Sequence, residues 1–121
     1  MSNSALHHKI TYIEFTTTDI ERTKKFYSTV FGWSFKEWGS DYIDSNVADA
    51  GIAIGFAKGA PQQEQPKYAP FVVLYSADLK ATEAAIVAAG GSVVVPTFEF
   101  PGGRRFHFSD GAGNLLGVWS E

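Results

Sequence analysis

No cysteine occurs among the 121 residues. A disulfide framework, a thiolate nucleophile and a thiolate-bound metal are all excluded by that one absence. Long hydrophobic runs are missing too: none approaches the roughly 20 residues that a membrane-spanning helix requires. The opening "MSNSALHHKI" has no apolar stretch of the kind that secretion signals carry, so a soluble, cytoplasmic protein without a membrane partner is expected. Positive charge is in short supply. Ten Lys and Arg stand against thirteen Asp and Glu, leaving a formal net charge of -3 and a pI near 5.5, and the basic residues are scattered rather than striped. Such a surface has no field for a phosphate backbone, and no nucleic-acid partner is expected.

What is present is ample apolar material. Hydrophobic residues make up 45% of the chain and charged residues 19%, which argues for one packed core and a single domain over residues 1–121. His7 and His8 offer a metal an adjacent pair of imidazoles, although a frayed tail is the simpler reading.

The chain carries an internal repeat. One fixed shift lays "YIEFTTTDIERTKKFYSTVFGW" over "FVVLYSADLKATEAAIVAAGGS" and matches Asp19 with Asp78, Thr23 with Thr82 and Gly32 with Gly91, without a gap. Each copy opens with alternating apolar and β-branched residues, a strand pattern. An aspartate then stands where a helix N-cap accepts the unpaired N–H groups of the first turn, and a role as cap is the natural one for Asp19 and Asp78. Helices are expected from about Ile20 to Phe31 and Leu79 to Ala89, with Gly32 and Gly90 suited to left-handed caps. Pairs of short strands follow each helix, and a slightly larger shift places Tyr42 over Phe106, Ser45 over Ser109 and Ala53 over Gly117. The expected fold is α+β: two pseudo-symmetric βαβββ modules, residues 9–59 and 70–121, whose curved mixed sheets enclose a cleft. The Pro- and Gln-rich stretch 60–69 reads as the linker between them.

At this point the chain resembles the vicinal oxygen chelate superfamily, which includes glyoxalase I, extradiol dioxygenases, fosfomycin-resistance enzymes and bleomycin-binding proteins. The residues that carry the resemblance are "TTDIERTKKFYSTVFGW", "SADLKATEAAIVAAGGSVVVP" and the closing "FHFSDGAGNLLGVW", so that it extends from about Lys9 to Trp119. It implies a glyoxalase-like fold, a homodimer and a metal site built from His, Glu or Gln on four strand positions. Those positions here are Tyr12, Ala53, Phe71 and Gly117, none a usual ligand of a divalent metal. At the last, metal-binding members resemble "GNLLE" where this chain has "GNLLG". No metal ligand and no cofactor are therefore expected.

Period-two alternation directs Tyr12, Glu14 and Thr16 into the cleft while Ile13 and Phe15 pack on the helix. In the second module the same face holds Phe71, Val73 and Tyr75. If "DGAGN" is a hairpin loop, His107 pairs with Gly117 and shares its face with Trp119. Glu14 and His107 are accordingly candidates for proton transfer. Tyr12, Phe71, Tyr75 and Trp119 are candidates for ligand contact, and Arg105, beside Arg104, for an anionic group at the mouth. A hydrogen-bonded Glu14 and an ordinary strand histidine remain an equal alternative, and Trp33 and Trp38 read as core or dimer contacts. Three functions stay open: a metal-free module binding a small aromatic or amphipathic molecule, for which the net negative charge suits cations; a lyase, isomerase or dioxygenase-type enzyme using Glu14 and His107 or an unconventional metal; and a structural dimer with a vestigial cleft.

Overall fold

The two copies of the repeat fold into two four-stranded mixed sheets. The computed structural model describes residues 5, 7, 8, 10–60 and 70–121, so the expected linker at 60–69 lies, from residue 61 onward, outside the described residues. The first copy runs β1 (Tyr12–Thr17), α1 (Ile20–Phe31), β2 (Phe35–Glu37), β3 (Tyr42–Ser45), α2 (Val47–Ala50) and β4 (Ala53–Lys58). The second runs β5 (Val73–Tyr75), α3 (Leu79–Ala88), β6 (Ser92–Phe100), β7 (Gly103–Ser109) and β8 (Leu115–Ser120). Sheet one has the order β1-β4-β3-β2 and sheet two the matching order β5-β8-β7-β6. In each, the first and last strands pair parallel and the rest antiparallel. The one unanticipated element is α2, which fills the β3–β4 turn because Asn46 accepts the Asp49 amide as its N-cap at 2.9 Å.

Both long helices start for the same local reason. Asp19 accepts the Arg22 amide at 3.1 Å, and Asp78 accepts the Ala81 amide at 3.1 Å. A hydroxyl two residues before each cap repeats the symmetry: Thr17 contacts Thr23 at 2.6 Å and Ser76 contacts Thr82 at 2.7 Å. The ends differ. Gly32 closes α1 at φ 74°, whereas α3 stops at Ala88, one residue earlier than expected, with Ala89 as a right-handed cap and the left-handed turn taken by Gly90 at φ 97°.

The sheets turn one face each onto a common core. Ile43, Ile54 and Phe56 of sheet one and Phe106, Phe108, Leu116 and Val118 of sheet two belong to a single buried cluster with Phe26 and Tyr27 of α1 and Ile86 of α3. Phe26 stacks on Phe108 at 6.2 Å and Tyr27 lies 4.9 Å from Phe56, so one helix contacts both sheets. Trp33 joins this core against Tyr27 at 5.1 Å, while Trp38 is exposed beneath the Lys36 ammonium. The glycine-rich "SDGAGN" loop pins the modules together. Asp110, fully buried, accepts the Tyr27 hydroxyl at 3.0 Å and the Ala112 and Asn114 amides; Asn114 Nδ2 donates to the Thr16 carbonyl at 2.6 Å, and the Thr18 amide donates to the Ala112 carbonyl at 2.9 Å. No helix among the described residues is long and apolar enough to cross a membrane.

The register corrects the second half of the repeat. Glu14 pairs with Gly55, and Val73, which stands where Glu14 does in the first copy, pairs with Gly117. The counterpart of Gly117 is therefore Gly55, not Ala53. Likewise Asp44 faces Gly55 as His107 faces Gly117, and this sets Tyr42 opposite Arg105 in the symmetry rather than Phe106. A one-residue slip reverses the face of every side chain, and the apolar pattern alone does not reveal it because Tyr42 and Phe106 are both aromatic.

Candidate functional site

The faces turned away from the core carry the candidate residues, in two groups. On sheet one, Tyr12, Glu14 and Thr16 point outward and are exposed, as alternation requires, while Ile13 and Phe15 pack against the core. Tyr42, two strands away, donates its hydroxyl to Glu14 Oε1 at 2.9 Å. That commits its one proton, so in the hydrogen bond between the two phenols Tyr12 is the donor and Tyr42 the acceptor. The result is a directed chain, Tyr12 to Tyr42 to Glu14. Burial first, and then the hydrogen bonds with Tyr12 and Glu14, hold the Tyr42 phenol well above its usual range and keep it protonated. The chain lies over Gly55, where any Cβ would overlap both phenol oxygens.

On sheet two, Phe71, Tyr75, Arg105, His107 and Trp119 gather on the outer face. The His107 ring lies 4.5 Å from Phe71 and 5.5 Å, edge to face, from Phe98. His107 pairs with Gly117 as the hairpin reading expected. The space above that glycine is filled by aromatic rings, since an added Cβ would meet Phe71 Cε2 at 2.8 Å and His107 Cδ2 at 3.4 Å. Burial, reinforced by the nearby Arg105 charge, lowers the His107 pKa from its usual 6.5 and favours the neutral imidazole. Tyr75 stands edge-on to Trp119 at 5.0 Å and donates to Glu121 at 2.6 Å. Beside them Val73, Phe100, Gly102, Arg105 and Trp119 line a hollow of about 360 Å³.

Sequence reasoning had set Glu14 and His107 in one cleft. Among the described residues no hydrogen bond or ion pair joins them: Glu14 is held by Tyr42 and His107 lies between Phe71 and Phe98. The two sheets are not closed on one another, and Tyr12 and Tyr75 remain 41% and 50% exposed. Three participants were missed. Tyr42 was hidden by the register slip, and Phe98 and Phe100 lie on the long strand β6, whose bulges break the alternation that would have shown their face.

The residues at the four positions implied for a metal do not fit one. Ala53, Phe71 and Gly117 have no donor side chain, the Tyr12 phenol is engaged with Tyr42, and the Phe71 ring occupies the room over Gly117. Gly55, the true counterpart of Gly117, has no donor either. The described residues contain no group of three or more His, Cys, Asp or Glu able to hold an ion.

Comparison with known proteins gives a consistent result. A glyoxylase-like domain-containing protein of Didymella fabae is 32% identical over 120 residues, covering 88% of this chain and 90% of that protein. CFP32 of Mycobacterium tuberculosis, named as a glyoxylase, is 27% identical over 116 residues; the match covers 89% of this chain but only 44% of CFP32, so the chain spans less than half of that relative's length. Among solved structures, a mutant of the fosfomycin resistance protein FosX of Listeria monocytogenes, complexed with Mn(II) and 1S,2S-dihydroxypropylphosphonic acid, superimposes with a TM-score of 0.77 at 19% identity over 93% of this chain and 89% of that one. The model of the Glyoxalase/Bleomycin resistance protein/Dioxygenase superfamily matches residues 9–118. With the repeat, the sheet order and these matches in agreement, the chain belongs to the Glyoxalase/Bleomycin resistance protein/Dioxygenase superfamily.

Proposed function

We propose that the protein is a metal-independent binding module that takes a small aromatic or amphipathic molecule on the outer face of sheet two. The observation that carries this reading is the hollow bounded by Phe100, Trp119, Val73, Gly102 and Arg105. Its volume lies within the range of small-molecule sites, roughly 300–1,000 Å³, and its walls are apolar and aromatic around a single charged group, the composition such sites share. The outer faces of both sheets are open in one chain, and a second copy is the partner expected to cover them, which makes the working unit a homodimer.

Native mass spectrometry of gently purified protein, repeated after addition of Zn, Ni, Mn and Fe, tests the reading. A metal-free dimer carrying a small organic mass supports it. Stoichiometric metal retained after buffer exchange overturns it.

A second reading, catalysis, is favoured by the directed Tyr12–Tyr42–Glu14 chain. A chain whose phenol protons run toward a carboxylate can take a proton from a bound O–H or N–H at the Tyr12 oxygen, while Tyr12 passes its own proton to Tyr42 and Tyr42 passes its own to Glu14. Under this reading Tyr42→Phe and Glu14→Gln abolish turnover of a substrate identified from the bound mass while leaving its affinity nearly unchanged. If both variants turn over normally, the chain has no catalytic part.

A further inference from the structure

Two buried polar atoms lie on alternate residues of one strand. Arg105 and His107 are alternate residues of β7 on the outer face, and Arg105 Nε and His107 Nε2 are both buried with no hydrogen-bond partner among the described residues. Native proteins leave few such atoms, because each has lost its water without replacement. The Arg105 guanidinium lies 5.3 Å from the Phe98 ring and 5.5 Å from the Phe100 ring, held by aromatic faces rather than by a carboxylate. In the strand register Arg105 stands opposite Phe98 on one side and Trp119 on the other. Glu99 is in register with Arg104 instead, and Glu121 is engaged by the Tyr75 hydroxyl. The ion pair found among the described residues, Lys24 with Glu37, is on the other module.

Among the described residues, the hollow therefore combines an unpaired, aromatic-backed guanidinium with walls that contain no carboxylate. We propose, resting on the binding-module reading, that it is a site for a planar organic anion, an aromatic carboxylate in particular, with the carboxylate on the forked N–H groups of Arg105 and the ring against Trp119 and Phe100. Arginine suits this role because its planar fork matches a carboxylate with two parallel bonds. The His107 imidazole, two residues along, bounds the same face. The net charge of -3 favoured cationic ligands. Charges beyond about 10 Å are largely screened at ordinary ionic strength, so the guanidinium at the site weighs more than the net charge of the whole chain.

Calorimetric titration of the full chain with 2-naphthoate, 2-naphthamide and 2-naphthylmethylammonium tests the assignment. The carboxylate is expected to bind about tenfold or more tightly than the amide, as a charge-assisted pair should, and the ammonium more weakly than either. Arg105→Met, which keeps the apolar stem, is expected to remove the preference for the carboxylate while leaving the amide affinity in place, and Trp119→Ala to weaken all three. Equal binding of carboxylate and amide, or a preference for the ammonium, overturns the anion assignment and leaves the aromatic hollow standing. Absence of binding by all three overturns both the anion assignment and the binding-module reading beneath it. Should Arg105→Met melt before it can be titrated, the wild-type comparison decides alone, with Arg105→Lys expected to keep part of the preference.

Discussion

At Gly117 the chain has no side chain where the family resemblance implies a metal-ligating one, and the Phe71 and His107 rings occupy the room above it. Because an added Cβ lies 2.8 Å from Phe71 Cε2, Gly117→Glu should overpack the face and cost about 1–3 kcal/mol. Thermal melting should show the loss, and isothermal titration with Mn²⁺ should show no new site, since Phe71 and Ala53 still bring no donor. A stable, Mn²⁺-binding G117E would mean that Phe71 swings aside readily. His107, beside this glycine, predicts a pH effect of known sign. Its folded pKa is lowered from 6.5, so the unfolded chain binds the proton more readily. Its contribution to stability is complete above that pH and declines as the pH falls below it. Urea midpoints compared at about pH 7.5 and about pH 5 should drop for the wild type and drop less for His107→Gln. Identical slopes for the two proteins would remove His107 from the titration.

Two elements owe their starts to single carboxylates. Asp19→Ala and Asp78→Ala each delete one N-cap bond, at 3.1 Å in both helices, and each should cost about 1 kcal/mol in chemical denaturation. The effects should add in the double mutant because the two caps share no partner. Neither cap belongs to the outer faces, so ligand affinity should not change. A large loss of binding in Asp19→Ala would tie α1 to the site more closely than its contacts indicate. Strand register is the other lesson at this scale. Alternation set Tyr12, Glu14 and Phe71, and the hairpin pairing set His107, on the sides turned from the helices, yet the face of Tyr42 depended on a slip that aromatic residues on both sides of the strand concealed.

For the molecule as a whole, the decisive feature is that one core serves both repeats. Asp110 accepts bonds from the Tyr27 hydroxyl, two backbone amides and Asn114 Nδ2, all at the seam between modules. Removing it leaves the Tyr27 hydroxyl buried without an acceptor. Asp110→Ala is accordingly expected to destabilise by about 1–3 kcal/mol or more, and to do so within one cooperative calorimetric transition. Two resolved transitions would show instead that each βαβββ unit folds independently of the other.

The sequence by itself determined the duplicated plan, the two capped helices and the His107–Gly117 pairing. These follow from local chemistry and from periodicity, which a repeat displays twice. Only the tertiary structure decided that Gly55 rather than Ala53 matches Gly117, that Tyr42 joins Tyr12 and Glu14, and that Glu14 and His107 belong to separate outer faces without touching. It also decided that Arg105 rests on Phe98 and Phe100 with, among the described residues, no carboxylate opposite. The reason is physical: alternation states which side of its own strand a residue occupies, but register between strands and the packing of one sheet against another are settled by contacts far apart in the chain.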